Sequence, residues 1–196
     1  MRPENRWLIL AVLLCANALS GGLGGESMMV LDFSAGAEPW PSINDVVMGG
    51  VSSGEMVSEN EYASFRGVVS FDNNGGFASV RSKPEVRDLS AFDGLILRVR
   101  GDGKDYGFRL RTSASFDGVS YQAPLAPPAG EWTDIVIPFA DFEPVWRGRL
   151  VADHPPLDPS RITTMGIIVS RQEGRFQLDI ANIRGYRKSD LDGAPP

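Results

Sequence analysis

The sequence is poor in the residues that build thiol and metal chemistry. Its 196 residues contain one cysteine, Cys15, and one histidine, His154. Cys15 lies in an N-terminal leader, so a processed chain would have no disulfide and no thiolate metal site. A serine hydrolase would need His154 as its base, but the Gly-x-Ser-x-Gly nucleophile motif is absent, and no two carboxylates are paired as a glycosidase requires. We therefore predict a protein that is not an enzyme and has no metal or cofactor.

An excess of basic residues is missing as well. Lysine and arginine number 19 against 25 aspartates and glutamates, the net charge is -6, and the two signs are mixed along the chain. Because no basic field is present to neutralise phosphate groups along a backbone, nucleic acid is excluded as a partner. No long helical periodicity is present either. Instead, 22 glycines and 14 prolines separate short apolar runs, which is typical of an all-β sandwich or barrel.

Residues 1–25 have the pattern of a targeting segment. Arg2 and Arg6 precede an apolar run from Trp7 to Leu14, and small residues follow at 16–18. This order is typical of a secretory signal peptide cleaved after Ala18. An uncleaved N-terminal anchor is the alternative, although the run is shorter than the roughly 20 apolar residues of a spanning helix. We predict an exported protein, periplasmic or envelope-associated, or one held at the inner membrane by its leader.

The rest of the chain predicts one domain, residues 28–187, followed by a flexible tail, residues 188–196. Some ten short runs alternate apolar and polar residues, as strands do when one face is buried. Two long loops, 34–53 and 141–159, contain too much proline, glycine or turn-forming sequence to be helical. The pattern favours an antiparallel β-sandwich of jelly-roll type, with a barrel as the nearest alternative.

The clearest alternation runs from Asp93 to Thr112 and predicts a β-hairpin. Leu95, Leu97 and Val99 in its first half, like the apolar residues of its second half, belong on the core side. Four arginines then share the opposite face: Arg98, Arg100, Arg109 and Arg111. We predict that Arg98, Arg109 and Arg111 hold an anionic partner. The alternative is a solvated sheet surface on which carboxylates neutralise the arginines.

Each long loop carries candidate binding residues. In the first loop, Trp40, Asn44 and Asp45 either form an interaction site or shape the loop and close one end of the sandwich. In the second, Trp146 and Arg147 combine an aromatic ring with a planar cation, which is common at binding hot spots, and Trp146 alternatively covers the core. Tyr121 joins Trp40 and Trp146 as a candidate platform for a sugar ring.

An ordered set of short motifs resembles a known family. The set includes Asn44 to Ser52 (NDVVMGGVS), Phe65 to Gly67 (FRG), Asn74 to Ala78 (NGGFA) with Arg81, Gly130 to Trp132 (GEW) and Ile137 to Phe139 (IPF). Across about residues 31–186 the chain resembles the NADH:ubiquinone oxidoreductase complex I intermediate-associated protein 30 family. The resemblance implies a galactose-binding-like jelly roll. For the mitochondrial members it implies a non-enzymatic role in assembling the membrane arm of respiratory complex I, through protein partners.

The leader departs from the mitochondrial members of that family. A mitochondrial transit peptide is amphipathic and arginine-rich, whereas residues 1–25 read as an apolar export signal of a bacterial relative. The primary expectation is an accessory or assembly-factor-like domain that binds proteins, such as respiratory-chain subunits. The alternative is an exported carbohydrate-binding module whose partner is a glycan.

Overall fold

The computed structural model describes residues 28–191 and confirms the predicted antiparallel β-sandwich. Twelve strands in this part of the chain form two sheets of six strands each. The strands are β1 Met28–Asp32, β2 Ser53–Ser58, β3 Ala63–Val69, β4 Phe77–Arg81, β5 Gly94–Arg100, β6 Tyr106–Arg111, β7 Ser120–Leu125, β8 Trp132–Pro138, β9 Glu143–Trp146, β10 Arg149–Leu150, β11 Thr164–Ser170 and β12 Gly174–Tyr186.

Each sheet contains strands from both halves of the sequence. Sheet A has the strand order β2-β3-β12-β5-β8, and β1 also pairs with β12. Sheet B has the order β10-β9-β7-β6-β11-β4. All strand pairs within the sheets are antiparallel. Several neighbouring strands, such as β4 and β11, are distant in sequence, and the outer face of each sheet therefore contains residues from distant parts of the chain.

The core lies between the sheets and contains the predicted apolar positions. Leu95, Leu97 and Val99 of β5 are fully buried, as are Phe108 and Leu110 of β6. The apolar positions predicted for the last strand are also confirmed, since Phe176, Leu178 and Ile180 are buried in the core. Because successive side chains of a strand point to opposite faces, the same alternation sends the arginines of these strands outward.

The predicted hairpin from Asp93 to Thr112 is wrong. β5 pairs with β12 and β8 in sheet A, whereas β6 pairs with β11 and β7 in sheet B. The turn between them crosses from one sheet to the other, and the Asp102 carboxylate holds it by accepting hydrogen bonds from the Lys104 amide and the Gln177 amide. Arg98 and Arg100 therefore lie on the opposite side of the sandwich from Arg109 and Arg111, and the four arginines do not share a face.

Two further segments differ from or extend the prediction. The second long loop contains the small hairpin β9–β10, whose two-residue turn has positive φ at Arg147 and Gly148, as hairpins of type I′ require. The predicted tail begins with one helical turn, α1, Lys188–Leu191. The predicted leader and the last five residues lie outside the described residues. No helix within residues 28–191 is long and apolar enough to cross a membrane.

Candidate functional site

The first long loop is built around one buried carboxylate, that of Asp45. One oxygen accepts a hydrogen bond of 2.9 Å from the Ser52 amide, and the other accepts bonds of 2.7 and 3.2 Å from the amides of Gly76 and Phe77. Burial by itself would raise the pKa of Asp45, but the hydrogen bonds from Ser52, Gly76 and Phe77 outweigh it and lower that pKa. The ionised carboxylate therefore ties the loop to the start of β4.

Two glycines lie so close to the Asp45 carboxylate that no larger residue fits in their place. A Cβ atom added at Gly50 would lie 2.5 Å from the Asp45 carboxylate, and one at Gly75 would lie 2.6 Å from it. Asn44 adds a second anchor, since its side-chain amide donates to Gly54 O and its oxygen accepts from the Ser79 amide. The polar atoms of Asn44 and Asp45 are thus used inside the protein, which favours the architectural alternative for both residues.

The anchored loop presents apolar side chains to solvent. Val46, Val47 and Met48 follow Asp45 in a 3-10 turn and are 62%, 67% and 65% exposed. Val51 and Phe71 are also about half exposed, and Phe71 packs near Gly76, to which Asp45 is bonded. We call these five residues, Val46, Val47, Met48, Val51 and Phe71, the apolar tip. Large apolar side chains grouped on a rigid turn are typical of interaction surfaces.

A shallow groove of about 650 Å³ adjoins the loop on the outer face of sheet A. Its lining combines both charge signs with small and apolar residues, among them Ser53, Glu55, Arg66, Val68 and Arg175. Arg66 lies 3.9 Å from Glu55 and 3.6 Å from Glu59, so its charge is compensated locally. The groove offers polar contacts beside the apolar tip without a strong net charge.

Three further arginines on the outer face of sheet A are also matched by carboxylates, whereas Arg175 forms no ion pair within residues 28–191. Arg100 donates from Nε and Nη2 to Asp179, at 2.9 and 2.7 Å, and its guanidinium lies over the rings of Tyr62 and Trp132. Arg184 donates to Asp134 at 2.8 Å, and Arg98 lies 3.6 Å from the same carboxylate. For this sheet, the predicted alternative of arginines neutralised by acids is the one the structure supports, and Arg98 is part of it.

The outer face of sheet B is different, because its arginines have no carboxylate partners. Arg81 of β4 and Arg109 of β6 lie on either side of Gly166 of β11, in one row across three strands. Arg111 lies one outward position further along β6, opposite Thr164. Arg109 donates to the Gln122 side chain at 2.8 Å. Among residues 28–191, none of these three arginines forms an ion pair with an acid.

The three guanidinium groups are close enough to affect one another. Burial, the largest cause, and the positive charges of Arg111 and Arg81 together lower the pKa of Arg109 to about 10. Burial and Arg111 likewise lower the pKa of Arg81 to about 10, and burial lowers the pKa of Arg111. All three groups remain protonated at neutral pH. We call Arg81, Arg109 and Arg111 the arginine cluster.

The β6–β7 loop, residues 112–119, forms one wall beside the arginine cluster. Arg81 donates to Phe116 O and Arg111 donates to Gly118 O. Asp117 of the same loop accepts bonds from Trp146 Nε1 at 3.1 Å and from Arg147 Nη2 at 2.8 Å. The Arg147 guanidinium stacks over the exposed Trp146 ring at 4.8 Å. Trp146 and Arg147, the candidate residues of the second long loop, therefore lie beside the face that carries Arg109 and Arg111.

Two predicted sugar platforms are wrong, because the rings are buried. Trp40 is 4% exposed and packs edge-on against Phe33 within the core. Tyr121 is also 4% exposed, and its hydroxyl group donates to Pro155 O and contacts His154 Nδ1. Neither ring can stack on a ligand without unfolding its surroundings. The Trp40 ring is instead part of the core, which favours its architectural alternative.

Sequence reasoning named Arg81 only as part of a family motif and did not propose it or Thr164 as a binding residue. Arg81 alternates with buried Ala78 and Val80 in β4, which is a signal that it faces outward. Thr164 is 3% exposed, and its Oγ1 has no hydrogen-bond partner within the described residues. The pairing of β4, β11 and β6 brings both residues to Arg109, and this pairing is not encoded in any local pattern. No group of three or more His, Cys, Asp or Glu residues in the described part of the chain is arranged to hold a metal ion.

Comparison with known proteins assigns the family. The model of the complex I intermediate-associated protein 30 family matches residues 31–180. An uncharacterized protein of Schizosaccharomyces pombe is 28% identical over 170 residues, covering 76% of this chain and 78% of its own length. The mitochondrial complex I intermediate-associated protein 30 of Drosophila melanogaster is 28% identical over 183 residues, or 80% of this chain, which spans 62% of the fly protein.

Solved structures agree with the fold. The family 11 carbohydrate-binding module of a Clostridium thermocellum cellulosomal cellulase matches with a TM-score of 0.64 at 18% sequence identity, covering 82% of this chain and 94% of that module. At this level of identity the likeness concerns the architecture alone. Because the family model matches more than half of the residues, the chain belongs to the complex I intermediate-associated protein 30 family.

Proposed function

We propose that this protein is a non-enzymatic binding domain that acts as an assembly factor for respiratory complex I or a related membrane complex. It engages a protein partner through the apolar tip and the adjoining groove of sheet A. Family membership supports the assembly role. The single observation that carries the binding mode is the anchored loop, in which a buried carboxylate with three backbone donors holds Val46, Val47 and Met48 out in solvent.

The loop is suited to protein recognition because its shape is set before binding. Asp45, Asn44 and the turn bond from the Gly50 amide to Asp45 O fix the backbone on both sides of the exposed side chains. A preorganised apolar surface loses little conformational entropy when a partner covers it. The groove beside it, with Glu55 and Arg66 on its walls, supplies hydrogen bonds and charge pairs at the rim of such an interface.

The test compares two variants in the organism that encodes the protein. Val47→Ser combined with Met48→Ser makes the tip polar while leaving the Asp45 bonds in place. Val86→Ser is the matched control, since Val86 is an exposed valine, 74% accessible, outside the tip. We expect in-cell cross-linking followed by mass spectrometry to recover complex I subunits with wild type and Val86→Ser, and about tenfold less with the tip variant.

Two outcomes would contradict the proposal. Equal recovery of complex I subunits by all three proteins would remove the tip from the interface. Absence of complex I subunits from the wild-type cross-links, with glycans captured instead, would favour the carbohydrate-binding alternative.

We also propose that the protein is exported, so that its folded domain lies outside the cytoplasmic membrane. The support is the tripartite leader sequence. N-terminal sequencing of the native protein and protease accessibility in spheroplasts test it. An intact leader on a protease-protected domain would contradict export and leave a domain that faces the cytoplasm.

A further inference from the structure

The arginine cluster is a concentration of positive charge in an acidic protein. The chain has a net charge of -6, yet Arg81, Arg109 and Arg111 meet on one face without an ion-pair partner among residues 28–191. Asp117 is the acid whose charge acts on Arg81 and Arg111, and it is already bonded to Arg147 and Trp146. Like charges gathered and partly desolvated in this way destabilise the folded state unless an anion joins them.

The geometry provides a place for that anion. Arg81 and Arg109 flank Gly166 in one cross-strand row, so their Cα atoms lie two strand spacings, roughly 9–10 Å, apart. Gly166 lets the strands approach closely, since a Cβ atom added there would lie 2.7 Å from Val80 O. A recess of about 20 Å³ lies beside it, lined by the arginine cluster, Thr164 and Gly166 among others. A recess of this size holds about one water molecule, so it admits a single ligand oxygen and neither a sugar ring nor a whole phosphate group.

A second observation, independent of the charges, concerns a polar group that lines the recess. The Oγ1 atom of Thr164 lines the same recess, is buried and has no hydrogen-bond partner within the described residues. A buried hydroxyl without a partner loses its hydrogen bonds to water and gains nothing in return, so such groups are rare in folded proteins. A ligand oxygen in the recess would accept the bond that Thr164 can donate.

The donors select the kind of anion. Arg81 and Arg111 each use one Nη atom to hold the β6–β7 loop, and Arg109 uses Nε to bond Gln122. Each guanidinium group keeps further N–H donors, and Thr164 adds a hydroxyl. A phosphate monoester carries close to two negative charges at neutral pH and presents three acceptor oxygens. It therefore matches three cations and a hydroxyl better than a carboxylate, which has one charge and two oxygens.

We propose that the recess formed by Arg81, Arg109, Arg111 and Thr164 binds a phosphate monoester group. One oxygen of the group enters the recess, and the rest of the group and the molecule that carries it lie across the rim beside Phe116 and Trp146, which are both exposed. This site is independent of the proposed function, because the apolar tip and its groove border sheet A whereas the recess lies on sheet B. Either proposal can fail while the other stands.

The test measures binding to the full chain at low ionic strength, near pH 7.5. The probes are inorganic phosphate, a phosphoserine peptide, glucose 6-phosphate and, as the carboxylate comparison, acetate. We expect saturable binding of the phosphate probes by isothermal titration, and weaker or no binding of acetate. A peptide or sugar phosphate that binds more tightly than inorganic phosphate identifies the carrier, whereas equal affinities indicate that the site holds free phosphate.

Three variants assign the binding to the recess. Arg109→Gln should weaken phosphate binding at least about tenfold, because it removes a charge-assisted contact. Thr164→Val keeps the side-chain shape and should weaken binding about threefold to tenfold without lowering the melting temperature. Arg98→Gln, on the opposite sheet, should bind as wild type does. The proposal is overturned if phosphate does not bind saturably, if acetate binds as tightly, or if Arg98→Gln loses as much affinity as Arg109→Gln.

Discussion

The outer faces of the two sheets carry arginines in similar numbers but in opposite electrostatic settings. On sheet A, Arg100 is bonded twice to Asp179, and Arg98 and Arg184 share Asp134. On sheet B, the arginine cluster has no ion-pair partner among the described residues, and its members lower one another's pKa. The difference teaches that an arginine-rich sheet surface is not by itself a binding site. What matters is whether the protein already supplies the counter-charge.

The ion pairs on the outer face of sheet A are complete within the protein. The arginine cluster on sheet B has no ion-pair partner among the described residues. Asp179 is 2% exposed, so its bonds to Arg100 and Gln177 satisfy a carboxylate that would otherwise be buried and unpaired. The arginine cluster, with the orphan hydroxyl of Thr164, keeps donors that nothing in the described chain uses. We therefore expect substitutions on sheet A to change stability and substitutions on sheet B to change binding.

The largest effect is expected for Arg100→Gln. It leaves the buried Asp179 carboxylate without its charged partner and should lower the free energy of unfolding by about 3–5 kcal/mol, or the melting temperature by about 6–15 °C. Urea denaturation and differential scanning calorimetry measure this. A variant as stable as wild type would break the comparison, because it would make the Arg100–Asp179 pair dispensable.

A smaller loss is expected for Asp45→Asn, which tests a buried carboxylate held by backbone amides instead of arginine. Loss of the ionised acceptor for the amides of Ser52, Gly76 and Phe77 should lower the free energy of unfolding by about 2–3 kcal/mol. Denaturant titration at pH 7 provides the value. A loss below about 0.5 kcal/mol would show that the loop does not depend on this carboxylate.

The same variant gives a pH dependence with a definite sign. The pKa of Asp45 is lower in the folded state than in the unfolded chain, so its stabilisation is complete above the unfolded value of about 4 and is lost as pH falls through the folded value. The stability difference between wild type and Asp45→Asn should therefore shrink below about pH 4. A difference that stays constant from pH 7 to pH 2.5 would argue against an ionised Asp45.

The smallest effect is expected for Arg66→Gln on sheet A. The side chains of Arg66 and Glu55 are about half or more exposed, and their contact of 3.9 Å is long. Exposed pairs of this kind contribute less than about 0.5 kcal/mol, so the melting temperature should change by less than about 2 °C. A larger loss would mean that pairing alone, without burial, stabilises this face.

Local alternation predicted most of the strands and the apolar residues that they bury in the core, but not the hairpin β9–β10. Leu95, Leu97 and Val99 in β5 and Phe176, Leu178 and Ile180 in β12 are in the core because one side of each strand faces the opposite sheet. Alternation carries no information about which strand is the neighbour. A five-residue turn from Gly101 to Asp105 can join strands of one sheet or cross between two, and the crossing separated Arg98 from Arg109.

The candidate sites depended on contacts that are distant in sequence, and this is why they were only partly predicted. Arg81 and Arg109 meet through β11, more than 50 residues further along the chain. Trp40 and Tyr121 were predicted as platforms for a sugar ring, yet both rings are buried in the core. Asn44 and Asp45 were recognised as important, but only the positions of Ser52, Gly76 and Ser79 reveal that they shape the loop.

The central claim is that the arginine cluster lacks the counter-charge that the paired arginines of sheet A already have. The most direct test is the melting temperature of Arg109→Gln, measured beside wild type and Arg100→Gln at low ionic strength without phosphate. If the arginine cluster is an unfilled anion site, removing one of its charges relieves the repulsion between the guanidinium groups and the cost of burying one of them. Arg109→Gln should then melt at the wild-type temperature or slightly above it, while Arg100→Gln melts well below. A fall for Arg109→Gln as large as that for Arg100→Gln would contradict the account, because both faces would then be structural.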